Sequence, residues 1–110
     1  MYFHEEEKST IAVLDAYCCR HPKVHLVFHF DEGDVYECMF LTDAEDDNDE
    51  DLDSPEYDEF WTMYFTVLKV LVPGPNYEPY ENGSIDVCYK HFPNLVTTVD
   101  GEVVYKAEVV

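Results

Sequence analysis

Between Lys23 and Leu41 apolar and polar residues alternate with a period of two, the mark of a half-buried strand. Val24, Leu26, Phe28 and Phe30 interleave with His25, Val27 and His29. Asp31-Glu32-Gly33 supplies turn chemistry, with Gly33 free to take a positive φ, and Val35 to Leu41 returns as a second strand. A three-residue loop sets Phe30 opposite Asp34, Phe28 opposite Tyr36, Leu26 opposite Cys38 and Val24 opposite Phe40. That register gathers nearly all the large apolar groups on one face, and a slip of one residue would expose them.

Upstream the period is helical. Ile11, Leu14 and Cys18 fall on one face with Val13 and Tyr17 beside them, which predicts an amphipathic helix over 5–20. Glu5, Glu6 and Glu7 in its first turn and Arg20 in its last suit the helix dipole, and Pro22 stops it. Its apolar stripe is short, so the helix needs a larger surface to lean on.

Downstream, Ser54-Pro55-Glu56 carries helix-start chemistry, whereas Phe60 to Val72 is almost wholly aromatic, β-branched or otherwise apolar. The expectation is a helical turn near 55–59 and a strand from about 61 to 72. Pro73-Gly74-Pro75 ends it, and residues 76–83 read as an irregular loop. Ser84 to Tyr89 alternates as a strand, and His91-Phe92-Pro93-Asn94 makes a tight turn. Leu95–Val99 and Glu102–Val109 then form a hairpin across Asp100-Gly101, read as a two-residue turn. The class is α+β: one N-terminal helix packed on a small antiparallel sheet of about five strands. This order of elements resembles that of SH3-like or Sm-like barrels, which host many unrelated functions.

With 110 residues the chain has room for one domain, 1–110. Its 46% hydrophobic and 15% aromatic content speaks for a packed globule, against the disorder that a net charge of −19 would otherwise suggest. The charge is concentrated. Residues 43–59 hold 11 acids and no base, so this acidic insert reads as an extended loop held open by its own repulsion. Such a field repels nucleic acid and anionic membranes and attracts cationic surfaces. Direct nucleic-acid binding and membrane association are thereby disfavoured.

Four cysteines form no CxxC pair, and the N-terminus lacks a basic stretch followed by an apolar one. The apolar run from Phe60 to Val72 is too short to span a bilayer. Reduced thiols and the missing export signal point to the cytoplasm.

Candidate chemistry centres on the acidic run. Asp47, Asp49, Asp51 and Asp58 have calcium-loop spacing, but Leu52 stands where such a loop needs glycine. Cys18, Cys19, His21, His25 and His29 lack zinc-ligand spacing, and Cys38 and Cys88 on apolar strands read as small hydrophobes. Only 4 glycines occur, none in a phosphate-cradling arrangement, and there is no nucleophile elbow or paired-histidine metal motif. Carboxylates crowded in a wet loop stay ionised and make poor general acids. The expectation is a non-enzymatic protein without a cofactor, monomeric or homodimeric, that binds a basic, nucleic-acid-binding protein. Asp46, Asp47, Asp49, Glu50, Asp51 and Asp53 with Glu56, Asp58 and Glu59 would compete with phosphates. Tyr57 and Trp61 would anchor. The class this suits, by size and charge clustering alone, is that of antirestriction, anti-CRISPR and nuclease-immunity inhibitors. An adaptor domain whose acidic loop serves solubility, or a weak divalent-cation binder, would carry the same composition.

Overall fold

Two glycine turns set the registers of the sheet in the computed structural model, which describes residues 3–74 and 83–107. Gly33 sits at φ 96° and donates its N–H to the Phe30 carbonyl at 3.0 Å, while Phe30 N–H reaches the Asp34 carbonyl at 3.0 Å. The pattern recurs downstream. Gly101, at φ 93°, donates to Thr98 O at 3.0 Å, and Thr98 N–H to Glu102 O at 2.9 Å. The Asp100-Gly101 turn therefore has three loop residues, Val99 included, where two were expected, because its glycine takes the left-handed third position. No atom lies within 4 Å of a Cβ built on Gly101, so Gly101→Ala meets backbone strain alone. It should lower stability by about 1 kcal/mol in urea titration.

The strands are β1 (His25–His29), β2 (Val35–Asp47), β3 (Glu59–Val72), β4 (Ser84–Val87), β5 (Leu95–Thr98) and β6 (Val103–Lys106). They form one antiparallel sheet in the order β4-β3-β2-β1-β5-β6, six strands where about five were expected. The first hairpin has the expected register, with Leu26 opposite Cys38 and Phe28 opposite Tyr36. The β2–β3 ladder slips three times, leaving Leu41, Leu68 and Leu71 without an opposite residue. Bulges of this kind bend and twist a sheet. They turn Leu41 (58% exposed) and Leu71 (42%) outward, which accounts for two large apolar groups in water.

The expected single helix is two, α1 (Glu5–Ser9) and α2 (Ile11–Arg20), broken at Thr10 with φ −120° and ψ −82°. Thr10 Oγ1 and Ser9 Oγ both donate to the Glu6 carbonyl, at 2.8 and 3.2 Å. Hydroxyls bonding back to a helical carbonyl compete with the backbone ladder and bend it. The core lies between α2 and one face of the sheet: Ile11, Leu14 and Cys18 meet Leu26, Phe28, Cys38, Met63, Phe65 and Val96, all buried. Phe28 and Phe65 pack edge to face at 4.8 Å. Burial, helped by the Asp15 charge, pushes the Cys18 thiol up to about 12, and burial raises Cys38 as well, so both behave as small hydrophobes. Among the described residues no helix is long and apolar enough to cross a membrane. Most of the loop expected over 76–83 and the end of the strand expected to reach Val109 lie outside the described residues.

Candidate functional site

The acidic insert is only partly a loop. Residues 43–47 belong to β2, and the connection proper runs from Asn48 to Asp58. β1 pairs with β2 no further than Met39, and β4 pairs with β3 only from Met63 on, so Ala44–Asp47 and Glu59–Thr62 pair with each other alone and extend past the other strands as a two-stranded arm. Glu45 stands opposite Trp61, Asp46 opposite Phe60 and Asp47 opposite Glu59. The bulky residues of β3 impose the extended conformation, and alternation of side chains between the two faces separates neighbouring charges. Repulsion read from composition alone missed this.

Asn48 shapes the tip, and the sequence reading passed it over. Its N–H donates to Asp58 O at 3.2 Å and its Nδ2 to Glu56 O at 2.7 Å, while its Oδ1 accepts the Asp58 and Glu50 amides. Asp49 takes φ 63°, and its amide is held by Asp47 Oδ1 at 2.8 Å. Where a helical turn was expected there are only tight turns. Ser54 N–H donates to Asp51 O, and Ser54 Oγ accepts the Glu56 amide at 3.1 Å. The capping chemistry of Ser54 is used, but the strand beginning at Glu59 leaves no room for a helix.

Asp46, Asp49, Glu50, Asp51, Asp53 and Glu56 are exposed, and Asp47 is half-buried. Trp61 is half-buried and not a free anchor: its ring packs against the core, and its backbone N–H donates to Glu7 Oε2 at 2.6 Å. Phe3, 38% exposed, takes its place at the surface. With Glu45, Asp46, Asp47, Tyr57 and Glu59 it lines a cleft of about 260 Å³, four carboxylates between two aromatic rings. Tyr57 O–H donates to Glu59 Oε1 at 2.8 Å. That bond, then burial and the charges of Glu59 and Asp47, push the phenol up to about 12, so it stays a neutral donor. A larger cleft of about 570 Å³ opens at the far end of β2, beside His29, Phe30, Leu95 and Lys106, and no acid of the arm lines it.

Glu7 joins the arm to the helices. Fully buried, it accepts the Phe3 and His4 amides on Oε1 at 2.7 and 2.8 Å and the Trp61 amide on Oε2. Asp58 is likewise engaged. Its Oδ1 meets His4 Nε2 at 2.6 Å, and its Oδ2 accepts from Tyr89 O–H at 2.9 Å and Lys90 Nζ at 3.0 Å. Tyr89 and Lys90 occupy a tight turn closed by reciprocal Cys88 and His91 backbone bonds, three residues ahead of the turn expected at 91–94. Desolvation works against the Asp58 charge, but hydrogen bonds from Lys90, Tyr89 and His4 outweigh it and hold the carboxyl below its ordinary value. The stability this contributes is complete above about pH 3.9, the value of an unfolded aspartate, and is lost as pH falls through the lowered native value. Asp58→Asn should therefore flatten the acid limb of stability against pH, measured by denaturant titration from pH 2 to 6.

Among the described residues no group of three or more His, Cys, Asp or Glu side chains is arranged to hold a metal ion. Of the calcium-spaced acids, Asp47 spends an oxygen on the Asp49 amide and Asp58 is taken by His4, Tyr89 and Lys90. Compared with known protein families, curated proteins and solved structures, the chain matches none.

Proposed function

We propose that this protein is a non-enzymatic binding module whose acidic arm docks on a basic, nucleic-acid-binding protein and takes the place of phosphates, in the manner of an antirestriction, anti-CRISPR or nuclease-immunity inhibitor. The observation that carries the reading is the arm itself. Glu45, Asp46 and Asp47 follow one another on a strand and continue into Asp49, Glu50, Asp51 and Asp53 at the tip, nearly all facing water. A strand advances about 3.3 Å per residue with side chains on alternate faces, so each face carries a charge every roughly 6.6 Å, within about twofold of the roughly 3.4 Å per charge along one strand of duplex DNA. Phe3 and Tyr57 beside these acids supply the aromatic contact area that interfaces favour.

We read the scaffold as a small SH3-like or Sm-like barrel. Support comes from the order β4-β3-β2-β1-β5, in which β5 returns to β1, and from the bulges that bend β2 and β3. The β6 strand is an addition at the edge. Buried free thiols at Cys18 and Cys38 accord with a cytoplasmic location.

The test is affinity capture from host lysate on immobilised protein, followed by elution with duplex DNA. The expected result is a basic protein that the wild type retains, DNA releases, and a variant with Asp46, Asp47, Asp49, Asp51 and Asp53 changed to Asn and Glu50 to Gln fails to hold. Equal retention by both forms would reject phosphate replacement and return the arm to a solubility role.

A further inference from the structure

Three segments far apart in the chain converge on Asp58: His4 ahead of α1, Asp58 at the foot of β3, and Tyr89-Lys90 after β4. His4 Nε2 also lies 3.0 Å from the Glu59 carbonyl. Both of its partners are acceptors, so this nitrogen carries the proton and donates to both. The imidazole stacks on the Tyr89 ring with centroids 4.3 Å apart, and Lys90 Nζ lies 5.7 Å from the centre of that ring.

The surroundings give this cluster a task. A two-stranded ribbon is marginal on its own, and this one belongs to a run of 11 acids without a base. The chain has 6 lysines and arginines, and among the described residues Lys90 is the one that pairs with the run. Glu7 secures the root of the arm at Trp61, while the His4 and Lys90 contacts lie further out, at Asp58 and Glu59. His4 and Asp58 are half-buried and Lys90 is exposed, so these outer contacts can open without unfolding the core. The two aromatic walls of the cleft, Phe3 and Tyr57, are the chain neighbours of His4 and Asp58.

We propose that His4, Asp58, Tyr89 and Lys90 form a latch that fixes the acidic arm to the body and presents Phe3 and Tyr57 as one preformed face to the basic partner. The latch is a property of the free protein, whereas its use in docking rests on the function proposed above. His4 and Lys90 are positioning residues: they act through Asp58 and leave the arm's open carboxylates untouched. An arm ordered in advance loses less entropy on docking, which slows dissociation. The arm's own charges steer approach, so association is little affected.

Residue-resolved amide hydrogen exchange on the full chain tests the latch, with octa-arginine peptide binding as the second arm. In His4→Ala, exchange at Asn48 and Asp58 to Trp61 should quicken about tenfold while core amides of β1 keep wild-type rates. His4→Gln, which restores an N–H donor, should recover most of the protection. Dissociation of the peptide from His4→Ala should also quicken about tenfold with little change in association. Arm exchange unchanged by His4→Ala overturns the latch, whether or not the peptide binds. Faster exchange with unchanged dissociation overturns its role in presenting the face. If exchange responds but the wild type does not bind the peptide, the latch stands and the proposed function falls.

Discussion

Glu7→Ala should lower the free energy of unfolding by about 3 kcal/mol, a large share of the total for a domain of this size. The carboxylate is fully buried and accepts three backbone amides, from Phe3, His4 and Trp61, at 2.6–2.8 Å. Alanine leaves all three without their acceptor. A buried donor stripped of its partner costs about 1–3 kcal/mol. Water can reach exposed Phe3 and half-buried His4, which keeps the sum below three full penalties. Glu7→Gln separates acceptor chemistry from side-chain volume. The amide keeps one oxygen but turns an NH2 toward a donor, so urea titration should still find a loss of about 2 kcal/mol. A glutamine variant as stable as wild type would mean that Glu7 contributes by filling space.

The second large effect concerns binding. Changing Asp46, Asp47, Asp49, Asp51 and Asp53 to Asn and Glu50 to Gln should weaken binding to octa-arginine about a hundredfold at low salt. Exposed ion pairs contribute about 0.5 kcal/mol each, and six amount to roughly 3 kcal/mol. The gap between variant and wild type should narrow steeply with salt, because exposed charges are screened over about 8 Å at physiological ionic strength. The same variant should melt at a higher temperature than wild type, since removing six like charges from −19 relieves self-repulsion. Its backbone should hold. Asn at 46 and 47 retains the Oδ1 that accepts the neighbouring amides, each at 2.8 Å. Loss of binding with a gain in stability points to docking; loss of both would point to a damaged arm.

The first hairpin was legible because three signals agreed: strict alternation, a glycine that fits the turn, and a register that puts Leu26, Phe28, Tyr36 and Cys38 together. The arm was not, since eleven acids read as mutual repulsion while the pairing partner that extends them, Phe60-Trp61-Thr62, lies across the turn. Trp61 beside acids looked like a surface anchor, and only the fold shows its ring against the core. Glu5, Glu6 and Glu7 are equivalent as first-turn acids, and no local pattern singles out the one that meets β3. The contacts of Asp58 span 54 residues to His4 and 31 to Tyr89, beyond the reach of any periodicity. The scarcity of bases was the one available hint, because a lysine as rare as Lys90 in so acidic a chain is apt to be used.

The place of β1 in the sheet bears on how the chain is made. Leu26 pairs with Cys38 on one side and with Thr98 on the other. During synthesis the first neighbour follows within about a dozen residues, and the second arrives some 60 residues later, a delay of roughly 3–12 s at ribosomal speed. For that interval a central strand shows a bare edge, the kind of template on which growing chains stick together. Residues 43–59 are made inside this window, and like charges as dense as their 11 carboxylates oppose such sticking before β5 pairs with β1.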